Sequence, residues 1–123
     1  MLQKLPILIV EDEWLVALDL AGAVADLDGR PLGPVASTDE ALAIIDSHAV
    51  GGAILDARLA GCDVTPVALR LLGGGIPFVL HSGTGLPPAL AASVSRIAVV
   101  MKPHPAPLVV ERLWNEVKRV HAV

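Results

Sequence analysis

Five times along the chain, a short apolar run is followed by a segment with helical spacing. Few folds accept that order. Strand–helix repeats assemble into one parallel sheet, because each crossover is right-handed and returns the next strand beside an earlier one. The expected class is therefore α/β: a doubly wound sheet of five parallel strands, (βα)5, with helices on both faces.

The first run, Ile7 to Val10, follows Pro6 and is apolar throughout, as a strand covered on both faces should be. Glu13 to Leu27 reads as a helix. Ala17, Leu20, Ala21 and Val24 form its core stripe, opposite Asp19 and Asp26, and Asp28-Gly29 ends it. Arg30 to Ala36 is a weaker strand. Pro31, Gly33 and Pro34 assign it to an edge of the sheet. Ser37 and Glu40 make a capping-box pattern that opens a helix to about His48, with Ala41, Leu42 and Ile45 facing inward. Gly51-Gly52 turns into the strand Ala53 to Asp56, and Leu59 to Asp63 reads as loop. Pro66 suits the first turn of a helix that runs to Leu72 and stops at Gly73-Gly74-Gly75. Ile76 to His81 is the fourth strand, with Ser82 at its end. Pro87-Pro88 opens a short helix to about Ser95, and Ile97 to Met101 is the fifth strand. Pro105 or Pro107 opens the last helix, whose apolar side is Leu108, Val109, Leu113, Trp114 and Val117.

At 123 residues the expectation is a single domain, residues 1–123, able to bury its own core. Aromatic residues are only 2% of the chain, so Ala, Val and Leu must do the packing. A net charge of −4 without a basic cluster argues against nucleic acid as a partner. The apolar run near the start is too short for a membrane span or a signal peptide, and the lone Cys62 asks for no oxidising compartment. The expected location is the cytoplasm.

In open parallel sheets, ligands gather at the carboxyl ends of the strands. Here those ends carry Glu11, Asp12, Asp56, Ser82 and Lys102. An apolar strand that finishes on a bare carboxylate, as at Asp56, needs a metal, a cation or water to meet the charge. Asp12 and Asp56, with Glu11 nearby, are hard oxygen donors of the kind Mg²⁺ takes together with waters and a phosphate. With the cation present, Asp56 stays an anion and can attack a phosphoryl group. Lys102 brings a compact positive charge for phosphoryl oxygens, and the Ser82 hydroxyl a hydrogen bond.

These five residues, drawn from four strand ends and in this order, resemble the site of response-regulator receiver domains (CheY-like), and the likeness spans nearly the whole chain. The resemblance implies a flavodoxin-like sheet ordered 2-1-3-4-5 and a stand-alone receiver that signals through protein contacts. It implies that Asp56 is the phosphoacceptor and that Mg²⁺ is held by Asp12, by Asp56, by Glu11 through water and by the backbone carbonyl of Arg58. Ser82 and Lys102 would bind the phosphoryl group, and Lys102-Pro103 would be cis. A sensor histidine kinase or a histidine phosphotransfer protein would supply the phosphoryl group, and the chain would catalyse only its own phosphorylation and dephosphorylation. Two positions stand out. Val99 occupies the place, three before the lysine, where the family usually has an aromatic switch. Arg58 sits two after the phosphoacceptor, where hydrolysis of the acyl phosphate is often tuned.

Other readings weigh less. Asp56 alone would be a turn residue, Glu11 alone a helix-start charge, Ser82 alone a cap and Lys102 alone a surface lysine. The four histidines, without metal-ligand spacing, read as scattered surface groups. A dehalogenase-type phosphatase would need an Asp where Arg58 stands. A pseudo-receiver serving as an interaction module, or a phosphorelay shuttle, keeps the fold with a different output. Trp114 and the last helix suit a homodimer face, though core packing accounts for most of that apolar side.

Overall fold

The computed structural model describes residues 1–59, 62–83, 88, 90 and 97–121. In chain order its elements are β1 (Pro6–Val10), α1 (Trp14–Asp26), β2 (Arg30–Val35), α2 (Thr38–Ser47), β3 (Gly52–Asp56), β4 (Arg58–Leu59), β5 (Cys62–Asp63), α3 (Thr65–Gly73), β6 (Phe78–Ser82), β7 (Ala98–Met101) and α4 (Ala106–His121). Five of the strands form one parallel sheet in the order β2-β1-β3-β6-β7. Counting sheet strands alone, this is the expected 2-1-3-4-5. The helix expected from Pro87 to about Ser95 falls outside the described residues, apart from positions 88 and 90.

Two-residue periodicity divides the strands between two cores. Ile7, Ile9, Ile54, Val79, Ala98 and Val100 point to one face, where they meet Leu20, Ala23 and Val24 of α1 and Val109, Val110, Leu113 and Val117 of α4. Leu8, Val10, Ala53, Leu55, Phe78 and Leu80 point to the other, against Ala41 of α2 and Val67, Ala68 and Leu71 of α3. The central strand β3 is buried along its whole length, so its carboxyl end meets solvent only at the mouth of the sheet.

Helix boundaries follow local chemistry. Ser37 has an extended backbone, and its hydroxyl oxygen accepts the Glu40 N–H at 3.2 Å while its O–H donates to Glu40 Oε1 at 3.0 Å. The Glu40 carboxylate thus engages the cap hydroxyl, and the cap of α2 is closed from both sides. At the edge of the sheet, β2 shifts register where β1 passes from Leu8 to Val10. Gly33 there has φ +88, and an added Cβ would lie 2.7 Å from the Val35 nitrogen, so this bend accepts only glycine. The Gly33-Pro34 and Lys102-Pro103 peptides are both cis.

Some expectations are corrected. Residues 59 to 63 are not simply loop: Arg58 pairs with Asp63 and Leu59 with Cys62 in a small antiparallel ribbon. Strands of two residues carry no periodicity for a sequence to display. In α1 the fourth fully buried residue is Ala23, with Ala21 half-buried. In α4 the buried stripe is Val109, Val110, Leu113, Glu116 and Val117, spaced i, i+1, i+4, i+7, i+8. Leu108 lies about a quarter-turn off that stripe and is exposed.

Candidate functional site

β1 and β3 are hydrogen-bonded neighbours, with Val10 opposite Leu55. Their carboxyl ends therefore deliver Glu11, Asp12 and Asp56 to one place. Each offers a carboxylate oxygen, and the three oxygens lie within 4.8 Å of one another. Glu11 and Asp56 are buried and Asp12 is exposed, so the cluster has a closed floor and an open rim.

Lys102 follows β7 and reaches across the top of the sheet. Its Nζ is 3.3 Å from Asp56 Oδ1 and 3.6 Å from Glu11 Oε2. Burial works against the ammonium charge, but the Glu11 and Asp56 carboxylates outweigh it and raise the Lys102 pKa. Glu11 moves the other way from an ordinary carboxylate. Burial first, then the neighbouring Asp56, push its pKa up from 4.5 to about 7, against the lowering effects of the Glu13 N–H and of Lys102. Two carboxylates held this close in a dry site cannot both be ionised cheaply.

Backbone groups fix the rest. Glu11 Oε1 accepts the Glu13 N–H at 3.1 Å, and Asp56 Oδ1 accepts the Arg58 N–H at 3.1 Å. Asp56 is thus also a turn residue, so the plain reading and the functional one hold together. The Ala57 N–H donates to the His81 carbonyl at 3.1 Å, and the Lys102 N–H to the Ser82 carbonyl at 2.7 Å. Ser82 is buried at the end of β6, one strand from Asp56. The Arg58 side chain is exposed, so what it contributes at Asp56 is its backbone. Val99 is half-buried and packs against the α2/α3 core.

The expected site residues arrive at one end of the sheet. Glu11, Asp12, Asp56 and Lys102 form one cluster, and Ser82 joins it through the strand-end hydrogen bond to Lys102. The donor set suits a hard divalent cation. Glu11 Oε2 is buried without a hydrogen-bond partner, and three anionic oxygens face one another with a single ammonium between two of them.

His81 corrects one expectation. It is not a surface histidine: it is 4% exposed, directly across from Asp56 in the β3–β6 register, and neither ring nitrogen has a hydrogen-bond partner. Burial and the nearby Lys102 charge lower its pKa. The available signal was its place two residues after the core residue Val79, which puts it on the same face.

No family model matches the chain. Over 67 residues it is 48% identical to the "Positive alginate biosynthesis regulatory protein" of Pseudomonas aeruginosa; this covers 53% of the chain and 27% of that relative. The match therefore takes in about a quarter of that protein. Among solved structures, SdrG from Sphingomonas melonis is 34% identical with a TM-score of 0.71, covering 93% of this chain and 99% of that one. A response regulator receiver protein from Sinorhizobium medicae superposes with a TM-score of 0.81 at 23% identity, covering 98% and 100% of the two chains. The receiver domain of a Pseudomonas aeruginosa sensor histidine kinase, with magnesium in its active-site cleft, has a TM-score of 0.76 at 17% identity, covering 92% and 97%. With the fold, the strand order and the strand-end residues already in place, the chain belongs to the response-regulator receiver domain family. Among the described residues no helix is long and apolar enough to cross a membrane.

Proposed function

We propose that this chain is a cytoplasmic receiver that accepts a phosphoryl group on Asp56 from a histidine kinase or a histidine phosphotransfer protein. The observation that carries this reading is the carboxylate cluster of Glu11, Asp12 and Asp56 with the Lys102 ammonium set between Glu11 and Asp56. The magnesium-bound receiver neighbour supports assigning Mg²⁺ to the cluster.

Asp12 and Asp56 would hold the cation directly and Glu11 through water, with the Arg58 carbonyl the remaining backbone donor. When bound, Mg²⁺ neutralises the carboxylates and screens the incoming phosphoryl oxygens. Asp56 is the nucleophile. Its free oxygen forms an O–P bond as the N–P bond of the donor phosphohistidine breaks, and the donor imidazole leaves. Lys102 offsets charge on the phosphoryl oxygens, and the Ser82 hydroxyl donates to one of them. The chain acts only on itself and is not an enzyme towards an external substrate. The product adds charge and strong acceptors at a strand mouth, and that change alters the surface offered to a protein target.

Val99, where the family usually has an aromatic, favours one second reading: an interaction module that keeps the fold without the switch. Labelling separates the two. Exposed to acetyl phosphate and Mg²⁺, the wild-type chain should gain a hydroxylamine-sensitive phosphoryl group that Asp56→Asn does not. Absence of label, or label that survives Asp56→Asn, overturns the receiver reading.

A further inference from the structure

A cavity of about 220 Å³ adjoins the acidic centre, between α1 and the turn joining β7 to α4. Val16, Leu20 and Ala106 form its apolar wall; Asp19, His81, His104 and Lys102 supply polar groups. The His81 ring is buried with both nitrogens unpartnered. A neutral imidazole carries one donor and one acceptor nitrogen, and leaving both unmet while buried is unfavourable.

Lys102 faces a conflict of its own. Its Nζ sits on Asp56 Oδ1 and near Glu11 Oε2, on two of the carboxylates that a divalent cation would engage. Two cations repel at such distances, strongly so where water is scarce. The lysine stem is flexible and its ammonium a mobile point charge, so the ammonium can move aside provided that an acceptor meets it. His81, on the cavity wall that Lys102 shares, has a nitrogen with nothing to accept.

We propose that this cavity is a second seat for the Lys102 ammonium, occupied when a divalent cation takes the carboxylate cluster, with the acceptor nitrogen of His81 and the Asp19 carboxylate receiving the displaced charge. His81 is then a positioning residue that acts on the metal site through Lys102. The proposal rests on reading the acidic cluster as a metal site.

The test is calorimetric titration of Mg²⁺ into the full chain and its variants. His81→Phe keeps a flat aromatic ring but removes the acceptor, and should weaken Mg²⁺ binding about ten- to hundredfold, the worth of one charge-assisted hydrogen bond. His81→Gln, which keeps an acceptor, should restore part of it. Asp19→Asn, on the exposed side of α1, tests the same seat without touching the core and should weaken binding about twofold. In a Lys102→Met background neither His81→Phe nor Asp19→Asn should matter. In parallel, the ¹⁵N resonance of the His81 acceptor nitrogen should move upfield on Mg²⁺ addition, and stay in place in Lys102→Met. Mg²⁺ binding that ignores both His81→Phe and Asp19→Asn, or weakening that persists without Lys102, overturns the second seat alone. A wild-type chain that binds no Mg²⁺ overturns the seat and the metal-site reading together.

Discussion

Glu11 is held at a cost to folding, and removing its charge should stabilise the metal-free protein. In the unfolded chain its pKa is the ordinary 4.5; in the fold it is about 7. A carboxyl whose folded pKa is raised favours folding while it is protonated and loses that contribution as pH rises from the unfolded value through the folded one. Across this window the loss amounts to roughly 3 kcal/mol, complete by about pH 8 and only about 1 kcal/mol at pH 5. Glu11 is 3% exposed, so solvent does little to screen it. Glu11→Gln keeps the shape and removes the titration. Its amide can donate to Asp56 where the carboxylate could only repel it. Urea unfolding without Mg²⁺ should therefore show Glu11→Gln more stable than wild type by about 1–3 kcal/mol near pH 8, with the gap closing towards pH 5. Saturating Mg²⁺ should narrow the gap at pH 8, because the wild-type cluster, with one more carboxylate, binds the cation more tightly than the Glu11→Gln cluster. Equal stabilities at pH 8, or a gain independent of pH, would refute the raised Glu11 pKa and its assignment to burial beside Asp56.

Four further outcomes are expected. Mg²⁺ affinity should fall about tenfold from pH 8 to pH 6, since a proton on Glu11 must leave; calorimetry in buffers of different ionisation heat checks the proton release. Asp56→Asn should lose phosphoryl incorporation from acetyl phosphate, by intact-mass analysis, while keeping a cooperative unfolding transition. Leu113→Ala, which empties a fully buried position against the sheet face of Ile7 and Ile54, should lower stability by about 2–5 kcal/mol in urea unfolding without moving any site residue. Ser37→Ala should lower it by about 1 kcal/mol by opening the cap of α2, and a change indistinguishable from zero would show the cap to be idle.

The readable features were those whose cause is local. The unbroken apolar runs Ile7 to Val10 and Ala53 to Leu55 foretold strands covered on both faces, because a strand with no polar side has none to turn to solvent. Pro31, Gly33 and Pro34 foretold the edge, because a strand without donors cannot pair on both sides. Ser37 and Glu40 foretold the start of α2, because a cap is closed within four residues. The site was legible for the same reason: each candidate residue terminates an apolar run, and parallel sheets bring such ends together.

What the sequence determined by itself, then, is the alternation, the strand order implied by its resemblance, and the identity of the residues at the sheet's mouth. Only the tertiary structure decided how they meet. Lys102 lies 46 residues beyond Asp56 in the chain, and its ion pairs with both Asp56 and Glu11 exist because β7 ends beside β6 and within a lysine's reach of β1 and β3. The ribbon of Arg58–Leu59 with Cys62–Asp63, the burial of Glu116 and the unpartnered ring of His81 depend likewise on packing between distant segments. Glu11 shows the difference most plainly. Its place after β1 is written in the chain, but the displacement of its pKa to about 7 arises from burial and from a carboxylate 45 residues away, and neither exists until the sheet has closed around them.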